Sequence, residues 1–441
     1  MGRPLGGQMG SSFLVFWLSQ TVSVLGSGMT KFAIGILLYQ KTGQVSALAL
    51  SILFGYLPSL FVGPFAGVIV DRYNRRLILL ITGFAQAVIG VALLAAVTQA
   101  ALPTVTIFAL LALQSAVGTF QPLTELASVG QMVPKEALAR ANSLLSMNED
   151  ISQVFAPILG GFLVAAVGIQ TVLLFDVFSF LVACAALLFI RIPNHERAEV
   201  LRSPGLSLAG YMADFRQSLG YLRSQPKLLQ LLLIMALLNF SFTITLPLVS
   251  PLVLERTGND TVALGLVTAC SGIGAILGGV LVIALLKRKL SIRQVFLLNG
   301  FEAVLVQISF GLARVPVLWG AFRFLPGLTS PFANASYQVF WQTAVPQALQ
   351  GRVFAVRRML AVSLTPLALV LSGVLSDLIT DFLVGQGVNA SEARLQSFQS
   401  MLVGFGVLSV VLSLAFAWGP TFSQLHVDDK LDSPAHPTHG F

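Results

Sequence analysis

Charge is what this sequence has least of. Asp, Glu, Lys and Arg make up 10% of its 441 residues, where a soluble globular chain carries about a quarter. That shortage excludes a water-facing surface over most of its length. Cysteine is almost absent: Cys184 and Cys270 each lie inside an apolar run, which excludes a disulfide framework and offers no metal-ligand spacing. Both are expected as small side chains buried in the membrane. The four histidines (His195, His426, His436, His439) fall outside every apolar run, and the three near the C-terminus fit a disordered tail better than a metal binder. The chain holds no phosphate-cradling G-x-x-x-x-G-K-[ST], no nucleophile elbow and no zinc motif. Nothing therefore points to an enzyme, a cofactor or a metal, and any transport must draw on a gradient.

What is present is apolar: 56% of the residues, with a mean hydropathy of +0.85. One aqueous core cannot bury that much apolar surface, so lipid must be its solvent. A span needs about 20 mostly apolar residues. Runs of that kind occupy about 12–39, 46–70, 77–99, 103–126, 139–167 and 170–190, and then 228–254, 261–286, 292–312, 315–342, 353–380 and 398–418. The pattern predicts an all-α integral membrane protein of twelve transmembrane helices. Between the sixth and seventh runs, 191–227 is the one long polar stretch, and Leu206–Leu222 reads as an amphipathic surface helix. The N-terminal segment MGRPLGGQMGSSF leads straight into the first run without a cleavage signal, so Met1 onward is expected in the mature chain.

The net charge of +8 follows topology. With the N-terminus inside, 20 of the 26 Lys and Arg residues lie at inner ends or in inner loops, the Lys287-Arg288-Lys289 cluster included. Only Lys41, Arg256, Arg314 and Arg394 are outer. The positive-inside rule thus places both termini in the cytoplasm, and nucleic acid is not needed to explain the basic charge. The halves also echo each other at an offset of about 209 to 212 residues. Val133-Pro134 matches Val345-Pro346, Gln114-x-x-x-Gly118 matches Arg323-x-x-x-Gly327, Pro157 matches Pro366, and the Gly67–Arg76 loop matches Gly279–Lys289. The expected organisation is a six-helix half over 1–190, a central loop over 191–227, a second half over 228–419 and a tail over 420–441. Parallel repeats of this kind build a pathway at their interface.

The segment Gly67-Val-Ile-Val-Asp71-Arg72-Tyr-Asn-Arg75-Arg76 resembles the loop signature G-x-x-x-D-R-x-G-R-R of the major facilitator superfamily. In that family the loop latches the halves, which implies a gating role for Gly67, Asp71, Arg72, Arg75 and Arg76. Gly67 would allow close helix approach. Asn74 stands where the family has glycine, and asparagine tolerates the positive φ of a tight turn. Asp71 would meet a cation or a helix N-terminus, with Arg357 and Arg358 as candidates across the halves. Ala156-Pro157-Ile-Leu-Gly160-Gly161 is similar to the G-P-x-x-G-G element of the family's drug:proton antiporters, with alanine at the first glycine. Gln114 occupies the arginine position of the R-x-x-x-G pattern in the fourth helix of such exporters, which weakens transfer of its proton role. Residues 141–168 and the Phe175–Phe180 segment resemble the macrolide and siderophore exporter branch. The resemblance covers 12–419 and implies the twelve-helix major facilitator fold.

Helical spacing selects which polar residues share a face. Gln114, Gly118, Gln121 and Glu125 fall in one sector of the fourth helix. Asn142, Glu149, Gln153 and Gly160 do so in the fifth, and Arg323, Gly327, Asn334 and Gln338 in the tenth. Unsatisfied polar groups are costly in lipid, so these stripes are expected to face the pathway or neighbouring helices. Intramembrane charges are functional candidates by default. A carboxyl withdrawn from water keeps its proton more readily, which makes Glu149, with Asp150 beside it, the proton-coupling candidate; a static arginine partner is the alternative. The family's architecture places Glu302 and Asp176 on peripheral helices, where structural roles are expected, Glu302 toward the eighth or tenth helix. Lys31 is expected to snorkel or to pair with an acid such as Asp377.

Together these readings predict a monomeric, proton-coupled exporter of amphipathic or lipophilic small molecules, macrolide-like or siderophore-like. It would sit amid lipid in a bacterial cytoplasmic membrane. A lipid or lysophospholipid translocator, or an uncoupled facilitator, is the alternative.

Overall fold

In the computed structural model the described residues are 10–99, 103–190, 208–285 and 290–419. Among them there is no strand. The helices are α1 (Ser11–Thr42), α2 (Val45–Arg72), α3 (Arg75–Thr98), α4 (Thr104–Met132), α5 (Leu138–Val167), α6 (Ile169–Phe189), α7 (Leu208–Ser224), α8 (Pro226–Thr257), α9 (Thr261–Leu285), α10 (Ile292–Leu312), α11 (Pro316–Ala344), α12 (Gln350–Gly385) and α13 (Ala390–Ala417). Eleven of these are long and apolar enough to cross a membrane. At 29 residues α11 also has the length, and its polar positions, Arg323 and Asn334 among them, keep it below that apolarity. The all-α, multi-span architecture read from composition is the one observed. The Lys287-Arg288-Lys289 cluster, the four histidines and residues 420–441 lie outside the described residues.

Local chemistry sets the boundaries. Gly43 ends α1 in the left-handed conformation, at φ 66°, where a Cβ would be strained. Ser291 and Gln294 close a reciprocal capping box at the start of α10, which satisfies two orphan N–H groups. Pro122 has no N–H to reach the carbonyl of Gly118, and α4 is accordingly interrupted at Thr119. A 3₁₀ turn, Leu246–Leu248, interrupts α8, and a turn at Ser363 and Leu364 interrupts α12. Within α10, Val304–Ser309 widens into a π segment. The last span begins at Ala390, eight residues before the apolar run suggested, because Glu392 is exposed and Arg394 is paired with Glu255, so neither breaks the helix.

Two expectations about the Gly67–Arg76 loop are corrected. Asn74 has φ −63° and is the N-cap of α3, its side chain accepting from the N–H groups of Arg76 and Leu77; no positive φ is involved. Gly67 makes no close approach, since a Cβ there would meet nothing within 4 Å.

The chain forms two compact units. One comprises Met1–Ser207, Pro247–Gly272 and Leu369–Ser397. Its core gathers Met29, Ile34, Leu38, Leu93, Val172 and Leu173, where α1 packs on α5 and α6, and α3 on α6. The other comprises Leu208–Leu246, Ile273–Ala368 and Phe398–Phe441, with a core of Leu231, Phe296, Trp341 and Val353. In the second unit Gln307, from the π segment, is fully buried and donates to the Ser241 carbonyl at 2.8 Å and to Thr245 Oγ1 at 3.0 Å. Large side chains such as Phe61, Phe84, Phe178 and Phe189 are exposed, as lipid-facing positions require. In lipid apolar burial supplies little net drive, so close packing and interhelical hydrogen bonds hold such a bundle together.

Candidate functional site

Polar hooks fix the rotation of α5 against α1. Thr21 Oγ1 donates to Asn148 Oδ1 at 2.8 Å, Ser152 Oγ donates to the Val24 carbonyl at 3.1 Å, and Ala156 is buried against Gly28. Asn148, Ser152 and Ala156 recur every four residues, so they form one stripe facing α1. Glu149 and Gln153 stand one position round from that stripe, and both are exposed, as are Asp150 and Asn142. Across from them, on the second piece of α4, Glu125 is buried at 7% exposure and lies within the field of the Glu149 charge. Glu125 and Glu149 thus lie on neighbouring helices within electrostatic reach of each other, one enclosed and one open to the surroundings.

The rest of the α4 stripe turns toward protein. Gln114 is buried, and its carbonyl accepts from Gln86 Nε2 of α3 at 3.0 Å. Gly118 lies beside the same Gln86 amide, and Gln121 is half-buried. Gln114 also faces Asp176 of α6, together with Thr30 and Lys31. Asp176 is 1% exposed and accepts from Ser27 Oγ at 3.2 Å; it is enclosed by α1 and α4 and faces no periphery. Lys31 is therefore neighbour to Asp176. The carboxylate of Asp377, its expected partner, is engaged elsewhere: it accepts from the N–H groups of Val45 and Ser46 at 2.9 and 3.1 Å.

The antiporter-like element is a packing surface. Ala156, Pro157, Gly160 and Gly161 are all buried. Gly161 sits on α9, where Thr261 Oγ1 donates to its carbonyl at 2.9 Å and a Cβ would come within 2.3 Å of the Thr261 carbonyl oxygen. One turn on, a Cβ at Gly265 would lie 2.4 Å from the Pro157 carbonyl oxygen.

The basic loop is anchored to carbonyls. Arg75 Nη1 donates to Ala127 at 2.7 Å, and Arg76 donates to Leu187 and Leu188 at 2.9 and 2.7 Å. Asp71 and Arg72 are exposed. In the second unit Arg323 is half-buried, and Gly327 is buried where Gly274 of α9 packs on α11. Asn334 is exposed, and Gln338 Oε1 accepts from Arg357 Nη2 at 2.6 Å. The Arg357 guanidinium also lies 5.1 to 5.4 Å from the rings of Tyr337, Trp341 and Phe354, a cation–π cage. Arg358 is exposed. Glu302 accepts from Thr329 Oγ1 of α11 at 3.0 Å, the inward contact expected of it.

One cluster escaped sequence reasoning. Glu255, near the end of α8, accepts from Tyr39 Oη at 2.7 Å and Ser391 Oγ at 3.0 Å, and pairs with Arg394 at 2.9 Å. Its only trace in the sequence is an acid and an arginine among otherwise charge-poor outer segments.

The Major Facilitator Superfamily model matches residues 16–368. Macrolide efflux protein A of Streptococcus pyogenes is 24% identical over 373 residues, spanning 83% of this chain and 90% of that protein. The enterobactin exporter EntS of Escherichia coli O1:K1 / APEC is 25% identical over 354 residues, spanning 78% and 80% respectively. Among solved structures, a bacterial homologue of the human lysosomal transporter Spinster, inward-facing and unoccupied, superposes with a TM-score of 0.72 at 14% identity. That match covers 95% of this chain and 98% of the other.

Proposed function

Since the chain belongs to the major facilitator superfamily, and is thus a multi-pass membrane transporter with relatives among efflux proteins, we propose that it is a proton-coupled exporter of amphipathic small molecules. The observation that carries this reading is a buried Glu125 on α4 with an exposed Glu149 within electrostatic reach on neighbouring α5. Two carboxyls within each other's field hold one proton at lower cost than two charges. The open member, Glu149, takes the proton from water and the enclosed member, Glu125, keeps it company. Asp150, also exposed and adjacent, serves as an entry point.

The names of two relatives, a macrolide efflux protein and an enterobactin exporter, support a cargo of bulky amphipathic molecules. In the proposed cycle residues 1–190 and 228–419 rock against each other. Gln121, Gln153, Asn334 and Arg323 line the path, and the Gly67–Arg76 loop gates its inner end. The orientation with both termini in the cytoplasm, and a bacterial cytoplasmic membrane as its home, belong to the same proposal. Proton and cargo drive exchange only if each binds the two end states with different affinity, and a carboxyl pair whose enclosure changes between states meets that condition.

The test is flux of a labelled 14-membered macrolide in proteoliposomes under an imposed pH gradient. Glu149→Gln should abolish gradient-driven accumulation while leaving downhill exchange, and Glu125→Gln should reduce accumulation. Full gradient-driven transport by Glu149→Gln would remove the pair from the proton path. Flux of labelled lysophospholipid without macrolide flux would replace the cargo assignment with a lipid one.

A further inference from the structure

The first turn of α2 is capped from far away in sequence. A helix N-terminus leaves backbone N–H groups without partners and carries a partial positive charge. The residue that should cap α2, Gln44, makes no side-chain hydrogen bond to it. Instead, both oxygens of Asp377 on α12, 331 and 332 residues away, receive the N–H groups of Ser46 and Val45. The approach is made possible one turn before Asp377, where a Cβ on Gly373 would lie 2.3 Å from Ser46 Cα. At the same end of the helices Glu255 draws α8, α13 and α1 together through Arg394, Ser391 and Tyr39. Both links join the first half of the sequence to the second, and both lie where α1 ends and α2 begins, the end that the charge pattern places outside.

We propose that Asp377 is the bolt of the outer gate: its carboxylate, seated on the α2 N-terminus, holds the outer end of the transport path shut, with the Glu255 cluster as a second bolt. Opening that end must take α2 from α12, which leaves an anion without its two donors and two N–H groups without their acceptor. The seat is specific to an unbranched carboxylate of this length. Asparagine replaces one acceptor oxygen by an NH₂ that faces an N–H, and alanine removes both acceptors. The proposal rests on the chain being a transporter of this family and is independent of its coupling ion and cargo.

Distance measurement on the full-length protein in nanodiscs tests it. Spin labels go on Lys41→Cys and Gln386→Cys, both at exposed positions, with Cys184 and Cys270 replaced by serine. Asp377→Asn should raise the population with long label separation about tenfold relative to the parent, and Glu255→Gln should raise it further when combined. Val45→Pro attacks the seat from the other side. It removes one donor at a first-turn position where proline is favoured, and Gln44 already has the extended conformation (φ −110°, ψ 133°) that a following proline requires. It should open the gate as Asp377→Asn does, and it keeps the question answerable if the aspartate variant fails to fold. Distance distributions that superimpose on the parent for both Asp377→Asn and Val45→Pro would overturn the assignment. Gradient-driven transport retained by Glu149→Gln, alongside the expected distance shift in Asp377→Asn, would count against the carboxyl pair alone.

Discussion

Replacing Gly161 by alanine puts one methyl group into the tightest seam between α5 and α9. The new Cβ would lie 2.3 Å from the Thr261 carbonyl oxygen, 3.1 Å from its carbon and 3.5 Å from Gly265 Cα, whereas ordinary contact begins at 3.4 Å. The obstacle is backbone on both sides, so no rotamer relieves it. The helices must part by about 1 Å, the typical outcome of overpacking, which costs about 1–3 kcal/mol. That displacement also stretches the 2.9 Å bond from Thr261 Oγ1 to the Gly161 carbonyl, for about 0.6–2 kcal/mol in a membrane setting. The seam therefore weakens by about 1.6–5 kcal/mol, a factor of roughly 15 to 5000 in the equilibrium between joined and parted helices. Detergent-solubilised variant should melt several degrees below the parent, and proteoliposomes should leak protons without substrate. Gly265→Ala strikes the Pro157 carbonyl in the same seam, so the double variant should cost less than the two single costs added, because the first substitution has already made the room. Parental melting and a tight membrane for Gly161→Ala would refute the reasoning, and strict additivity would show that the two glycines do not share one seam.

Three smaller predictions follow from the hydrogen bonds. Arg76→Met deprives the Leu187 and Leu188 carbonyls of their donor and should lower stability by about 1–3 kcal/mol; Arg72→Met, at an exposed position, should leave thermal melting unchanged. Asn74→Ala should cost about 1 kcal/mol and Asn74→Gly only a few tenths, the order expected of an N-cap; a gain in melting temperature for Asn74→Gly would revive the tight-turn reading. Gln307→Leu should destabilise by about 1–2 kcal/mol, because the Ser241 carbonyl and Thr245 hydroxyl lose their donor in a fully buried site; unaltered melting would show that water replaces the amide.

The spans were legible because lipid imposes a composition, and composition is local. Their polar faces were legible only in part. The α4 stripe assumed a straight helix, but Pro122 interrupts the ladder at Thr119, so Gln114 turns toward α3 and Asp176 while Glu125 is buried within reach of the Glu149 charge. On α5 the spacing grouped Glu149 with Asn142, Gln153 and Gly160, but Gly160 is buried against α1 while the other three are exposed, and nothing in it showed that Asn148 and Ser152, one position away, fix the rotation of the helix. The family motif located the basic loop, and its arginines do anchor it, but the motif's glycine logic did not carry over to Asn74 or Gly67. The Glu255 cluster and the Asp377 cap join residues more than 130 positions apart. Periodicity is blind at that range, and a charged residue near a helix end reads the same whether it faces water or a partner.

The π segment at Val304–Ser309 also bears on descent. A wide turn inside an α-helix arises most simply when one residue is inserted and the flanks keep their places, since neither end then has to rotate. On that view α10 carries a historical scar: relatives without the insertion should align to this chain with a one-residue gap at 304–309. Glu302 and Gln307 would keep their separate facings toward α11 and α8 only in lineages that have the extra residue. Where that gap appears, the amide at 307 should vanish with it, and with the gap's distribution comes a marker for sorting this transporter's near kin from its distant ones.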